Sequence, residues 1–190
     1  MFIIKKNYFL IIESIKDFEL KNIKKRNKFS IIYRNNNKPD NIEDLVNYRR
    51  KCKIKSVNFF VANNSDLAIM LKADGIYLSS YNHSFKFLNF KKNKFQLIGS
   101  AHNLKEVTMK VKQGCSFILL SKLFLVNYDK QAPYLGTVKF NYNLRINKNL
   151  IPLGGISLKK LNNLKNINCK GLAILSEVKK KPAKIISRLL

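Results

Sequence analysis

FVANNSDLAIMLKADGIYLSS, residues 60–80, contains two short apolar runs separated by a segment of helical pattern. The first run is the end of Asn58–Ala62, which begins two residues before the quoted stretch, and the second is Gly75–Leu78. Apolar residues follow one another within each run, so neither run has a polar face to turn to water. Strands of that kind are buried on both sides, as in parallel sheets. Parallel neighbours need a crossover between them, and the intervening residues supply it. Asp66 falls inside that crossover helix and Asp74 at its end. The stretch is one strand–helix–strand unit.

The same rhythm extends outward in both directions. Further apolar runs lie at Tyr8–Ile12, Phe29–Tyr33, Phe95–Gly99, Ser116–Leu120, Leu150–Leu153 and Gly171–Leu175. Helical segments separate most of them. Asp40 and Glu43 mark a start for a helix carrying Leu45, Val46 and Tyr48. Asn103 and Glu106 have capping-box spacing ahead of Leu104, Val107 and Val111, which share a face. Leu158, Leu161 and Leu164 share another, and Ile185, Ile186 and Leu189 close the chain with an amphipathic turn or two. Eight strands alternating with helices predict an α/β fold, a (β/α)8 TIM barrel, as one domain over residues 1–190. At 190 residues the chain is short for a barrel of usual length about 250. The saving is expected after strands four and six, where residues 82–94 lack a clean period and Pro133 and Gly136 break residues 126–149.

Composition agrees with a globular chain: 46% of residues are hydrophobic and 25% charged. The three cysteines, Cys52, Cys115 and Cys169, have no C-x-x-C spacing, and only two histidines exist. That excludes a structural zinc site and makes a reducing cytoplasm the expected compartment. The apolar N-terminal stretch is interrupted by Lys5, Lys6 and Asn7. What remains is far shorter than the roughly 20 residues of a membrane span, and it reads as a first buried strand. Net charge is +26, from 37 basic and 11 acidic residues. Lysine accounts for 31 of the 37, and asparagine (24) and isoleucine (21) are inflated with it. All three have A/T-rich codons, so codon bias explains most of the excess. The positive field remains and attracts anions.

In a barrel the chemistry lies at the C-terminal ends of the strands. Those ends are predicted at Arg34-Asn35-Asn36, Asn63-Asn64, Ser79-Ser80, Ser100-Ala101-His102-Asn103, Ser121-Lys122, Gly154-Gly155 and Ser176. The set is polar, mildly basic and almost free of acids. It therefore offers no carboxylate cluster for a hard cation. Gly154-Gly155 after strand seven and Leu175-Ser176 after strand eight have the placement of a barrel phosphate site, where backbone N–H groups approach the anion.

Four segments carry a family resemblance. Residues 60–80 are similar to a strand, Asn-Asp, helix, Ala-Asp-Gly pattern of thiamine-phosphate synthases. IGSAHNLKEV (98–107) resembles their Ser-x-His segment, IPLGGISLKKL (151–161) their Gly-Gly-Ile turn, and CKGLAILSEV (169–178) their last strand and its Ser. The order and spacing fit from Tyr8 to Leu190, and the chain is identified as a divergent member of the thiamine-phosphate synthase/TenI family. The resemblance implies condensation of hydroxymethylpyrimidine diphosphate with thiazole phosphate, assisted by magnesium; TenI relatives instead tautomerise a thiazole phosphate.

Carried over residue by residue, the resemblance leaves a divided site. Arg34 keeps the place of the family's pyrophosphate-binding Arg, while the Lys beside it becomes Asn36. The Asn-Asp pair falls on Ala62-Asn63 or on Asn63-Asn64, and in either register the metal Asp is an Asn. The second metal Asp falls on Asn82. Ser100 keeps the family Ser. The Thr-x-Thr-Lys segment falls near Val126, Asn127, Tyr128 and Asp129, with Lys130 one place away as a stand-in for its Lys. Gly154, Gly155, Leu175 and Ser176 are retained.

Arg34, Ser100, Lys122 and Lys130 are thus the expected catalytic residues. Asn63, Gly154, Gly155, Leu175 and Ser176 are expected to bind substrate. No metal ligands are assigned, so Mg2+ should bind weakly or not at all. Lys122 lies where TenI relatives carry a proton-shuttling His, and it also reads as one solvated lysine among many. Arg34 is expected to face a ligand because the strand ends offer almost no carboxylate to pair it. His102 reads as a hydrogen-bonded structural residue, His83 and the run Lys179–Lys181 as solvated, and the cysteines as small core residues. The expected partners are small-molecule phosphates, with no specific nucleic acid, no membrane, and a homo-oligomer left open. The alternative is a tautomerase-type or non-catalytic barrel that binds the thiazole phosphate.

Overall fold

The computed structural model describes residues 6–23, 28–35, 39–92, 95–126, 129 and 131–189. Eight strands appear in it: β1 (Asn7–Ile12), β2 (Phe29–Tyr33), β3 (Asn58–Ala62), β4 (Gly75–Leu78), β5 (Gln96–Ala101), β6 (Phe117–Leu120), β7 (Leu150–Pro152) and β8 (Gly171–Ile174). Every ladder is parallel, in the order β7-β6-β5-β4-β3-β2-β1-β8. β7 and β8 lie against each other at the seam, which nearly closes the sheet into a (β/α)8 TIM-type barrel.

Strand alternation divides the core into two shells. Phe9, Ile11, Ile32, Phe60, Tyr77, Ile98, Leu119, Ile151 and Ala173 fill the barrel interior. Their chain neighbours Tyr8, Leu10, Ile31, Phe59, Ile76, Leu97, Ile118, Leu150 and Leu172 pack outward under the helices. This explains why the strands read as unbroken apolar runs: both faces are dry.

Among the described residues seven α-helices follow in chain order: α1 (Ile42–Ile54), α2 (Ser65–Met70), α3 (Leu88–Lys92), α4 (Leu104–Lys112), α5 (Gly136–Ile146), α6 (Ser176–Lys180) and α7 (Pro182–Leu189). The connection after β4 is trimmed to the five-residue α3. After β6 the chain first runs irregularly, but α5 keeps eleven residues and is not shortened. The connection after β7 is a nine-residue 3-10 segment, Leu158–Asn166. Its apolar spacing of three is the spacing at which 3-10 side chains eclipse, and Leu161 and Leu164 are buried there. In α7, Ile186 is buried, while the side chains of Ile185 and Leu189 lie outside the described residues.

Two helix readings are corrected. The cap of α1 is Asn41, whose side chain accepts from the Glu43 N–H; Asp40 instead accepts from Ser14 Oγ and the Ile15 N–H. Asn103 does cap α4, yet the buried face of that helix is Val107 with Lys110. Leu104 and Val111 are exposed, because the α4 face turned to the sheet is centred on positions 107 and 110. Among the described residues no helix is long and apolar enough to cross a membrane.

Candidate functional site

The C-terminal mouth of the barrel holds a cleft of about 120 Å3, lined by Arg34, Tyr77, Ser79, Ser80, Tyr81, Ser100, His102, Ser121 and Leu153. Each comes from a strand end or the loop after it, the position barrels reserve for chemistry. Tyr77 is the most deeply buried of these residues. Burial pushes the Tyr77 hydroxyl pKa up, and Ser100 and the Arg34 guanidinium beside it pull the other way. His102 Nδ1 and Ser121 Oγ are 2.9 Å apart, and the His102 N–H donates to Glu106 Oε2 at 2.8 Å. His102 therefore has the hydrogen-bonded role its sequence suggested, while also lining the cleft.

Arg34 follows β2, and its backbone N–H extends the ladder to Ile12 O. Its side chain reaches the cleft, and there it meets a carboxylate, although the strand ends were expected to offer it almost none. Glu13, directly after β1, has Oε1 at 3.7 Å from the guanidinium. Glu13 in turn pairs with Lys179, which is therefore not merely solvated. The Glu13 contact is long, and Arg34 Nε is buried without a hydrogen-bond partner.

Asn63 and Asn82, the residues onto which the sequence resemblance carried two metal carboxylates, are bonded to each other. Asn82 Nδ2 donates to Asn63 Oδ1 at 3.0 Å. The same oxygen accepts from the Ser79 N–H at 3.0 Å, and Asn63 Nδ2 donates to Ser79 Oγ at 2.7 Å and to the Tyr81 hydroxyl at 3.1 Å. Asn63 takes φ 55°, a left-handed backbone that Asn tolerates. These donors do not fit Mg2+: they bring no charge, and the Asn63 oxygen is already occupied twice. Among the described residues no group of three or more His, Cys, Asp or Glu side chains could hold a metal ion.

Lys110 lies behind this network, and sequence reasoning missed it. Its Nζ donates to Ser79 O, Asn82 O and Gln113 Oε1 at 2.7, 2.6 and 3.0 Å. Gln113 Nε2 donates to Asn82 O and Ser84 O. Together the two side chains bind α4 to the loop after β4. The only trace in the sequence is a lysine three residues after Val107 on the apolar face of α4, hidden among 31 lysines.

The opposite rim carries the glycine pair. Gly154 and Gly155 have φ of +91° and +66°. A Cβ on Gly155 would lie 2.4 Å from Phe124 O and one on Gly154 3.2 Å from Lys122 Cα. The turn is thus pressed against the loop after β6. Lys122 Nζ is 3.3 Å from Asp129 Oδ2. Leu175 precedes α6 and packs against the interior shell, and Ser176 begins that helix. Asn36, Asn127, Tyr128 and Lys130 lie outside the described residues. The structure brings Arg34, Ser100 and the Asn63 network to one cleft, with Ser121 from the predicted strand ends and with Tyr77 and Tyr81, which sequence reasoning missed.

Known proteins resemble this chain as follows. The family model described as thiamine monophosphate synthase matches residues 9–178. The thiamine-phosphate synthase of Prochlorococcus marinus subsp. pastoris is 28% identical over 146 residues, which is 76% of this chain and 42% of that protein. The thiamine-phosphate synthase of Persephonella marina is 27% identical over 156 residues, 78% of this chain and 73% of that protein. The chain therefore spans less than half the length of the Prochlorococcus relative. A thiamine phosphate pyrophosphorylase from Pyrococcus furiosus superposes with a TM-score of 0.72 over 97% of both chains at 17% identity, a likeness of fold.

Proposed function

The chain belongs to the thiamine monophosphate synthase family, and from that premise we propose that it condenses a hydroxymethylpyrimidine diphosphate with a thiazole phosphate at the barrel mouth. The thiazole nitrogen bonds to the pyrimidine methylene carbon as the C–O bond to the diphosphate breaks, and pyrophosphate leaves with the electron pair. The observation that carries this reading is the cleft that gathers Arg34, Ser100, Tyr77 and Ser79, the last held by Asn63.

In this reading Arg34 holds the diphosphate end. The glycine turn with Leu175 and Ser176 takes the thiazole phosphate through backbone N–H groups. Ser100 and Tyr77 orient the pyrimidine, and Lys122 and Lys130 add cationic stabilisation to the leaving group. In this reading the neutral Asn63–Asn82 pair holds no magnesium, and the leaving group relies on these cations. The protein works in the cytoplasm on small phosphates, without a specific nucleic-acid partner.

The deciding experiment is an end-point assay with both substrates, with and without Mg2+. Thiamine phosphate formation in either condition supports the proposal. A second reading, a tautomerase-type or purely binding barrel, draws on the Glu13 and Asp129 partners of Arg34 and Lys122. Thiazole-phosphate binding with no condensation would favour it.

A further inference from the structure

Lys110 is 0% exposed, yet its ammonium faces three neutral oxygens. Among the described residues no carboxylate forms an ion pair with it. Glu106 acts on it only through space, without a contact, so this buried charge is costly and needs a reason.

Satisfying the carbonyls is not that reason. Ser79 O also accepts from the Asn82 N–H at 3.0 Å, and Asn82 O also accepts from Gln113 Nε2 at 3.0 Å. A neutral side chain at position 110 would leave both backbone oxygens with a donor. The fold nonetheless makes room for this one. Gly99 on β5 has no Cβ, and one placed there would stand 2.8 Å from Lys110 Cδ and 2.9 Å from its Cγ.

The loop beneath which the ammonium sits lines the cleft through Ser79, Ser80 and Tyr81. A peptide unit is planar and trans, so its N–H points opposite its C=O. Ser79 O faces Lys110, and the Ser80 N–H of the same unit therefore points away from it. Among the described residues no acceptor takes that N–H.

We propose that Lys110 is a positioning residue for an anionic ligand, its fixed ammonium holding and polarising the Ser79–Ser80 peptide so that the Ser80 N–H binds a diphosphate. The inference rests on the reading that the mouth takes a diphosphate, and it names an internal cation at the end where metal carboxylates are replaced by amides. A charge one peptide unit from the ligand acts through a medium of low dielectric, where it is felt strongly.

The probe is inorganic pyrophosphate without Mg2+, at physiological salt so that the diffuse field of the +26 chain is screened. Lys110→Met, of similar length, should bind it on the order of tenfold more weakly in calorimetry, a common size for coupling between sites. Its melting temperature reports separately the loss of the Gln113 Oε1 contact, and the test is the loss of affinity in the folded variant. With both substrates, KM for the pyrimidine diphosphate should rise by a similar factor and KM for the thiazole phosphate should not. On the wild-type protein, pyrophosphate should shift the Ser80 amide signal, which keeps the proposal testable if the variant does not fold. Unchanged affinity in a folded variant, or an unmoved Ser80 amide, overturns it. Condensation of the substrates with an unmoved Ser80 amide sinks this inference alone. A moved amide without condensation supports the inference and sinks the synthase reading.

Discussion

Asn82 donates its side-chain amide to Asn63 Oδ1 across 3.0 Å, so the loops after β3 and β4 are tied by two neutral groups. Two carboxylates there would repel each other unless a cation lay between them. Asn63→Asp with Asn82→Asp should therefore lower stability by on the order of 1–2 kcal/mol without divalent cations, a pKa unit or so of repulsion. Mg2+ should restore the melting temperature and add Mg2+-dependent turnover. A double variant indifferent to Mg2+ in both melting and turnover would show that the site has diverged beyond these two residues.

Arg34 is held on one side by Glu13 at 3.7 Å. So long and partly exposed a pair contributes at most about 1 kcal/mol. Arg34→Ala should leave thermal stability nearly unchanged and weaken diphosphate binding by about 1.5–3 kcal/mol, the scale of a charged hydrogen bond. Calorimetry with the pyrimidine diphosphate checks the second half. Unaltered affinity assigns the guanidinium to the scaffold.

Burial holds the Lys110 pKa below its ordinary 10.5. Between the lowered folded value and the unfolded value the unfolded chain binds more protons, so this group makes stability rise with pH across that window. Lys110→Met should remove that rise. The urea midpoint of wild type minus variant, followed from pH 7 into the alkaline range, should climb with pH. A flat difference would contradict the burial.

The glycine turn gives a ranked pair. Gly155→Ala places a Cβ 2.4 Å from Phe124 O at φ +66°, whereas Gly154→Ala meets Lys122 Cα at 3.2 Å at φ +91°. Both incur left-handed strain of about 1–3 kcal/mol, and only the first adds a backbone clash. Thermal melting should rank Gly155→Ala as the more damaging. The reverse order would mean that the β6 loop yields freely.

Phosphate contact at the same rim is checked separately. Thiazole phosphate should shift amide signals of Gly154, Gly155, Leu175 and Ser176. Silence at all four would leave the turn as a packing device against the β6 loop.

The sequence by itself determined the barrel, because strands buried on both faces are apolar at nearly every position, as Tyr8–Ile12 and Gly75–Leu78 are, and eight such runs alternate with helical segments. It also named Arg34, Ser100 and Asn63, since strand ends are set by where those runs stop. Tertiary structure alone decided what each of these touches. Glu13 reaches Arg34 only because β1 and β2 are neighbours in register, and Asn82 reaches Asn63 only because the loops after β3 and β4 meet at the mouth. Lys110 was beyond sequence reasoning for the same cause: a lysine on a helix reads as solvated until Gly99, on the strand against which the helix packs, is seen to make room for it. Local pattern fixes which residues face inward, but pairing between residues distant in the chain exists only once the barrel has brought them together.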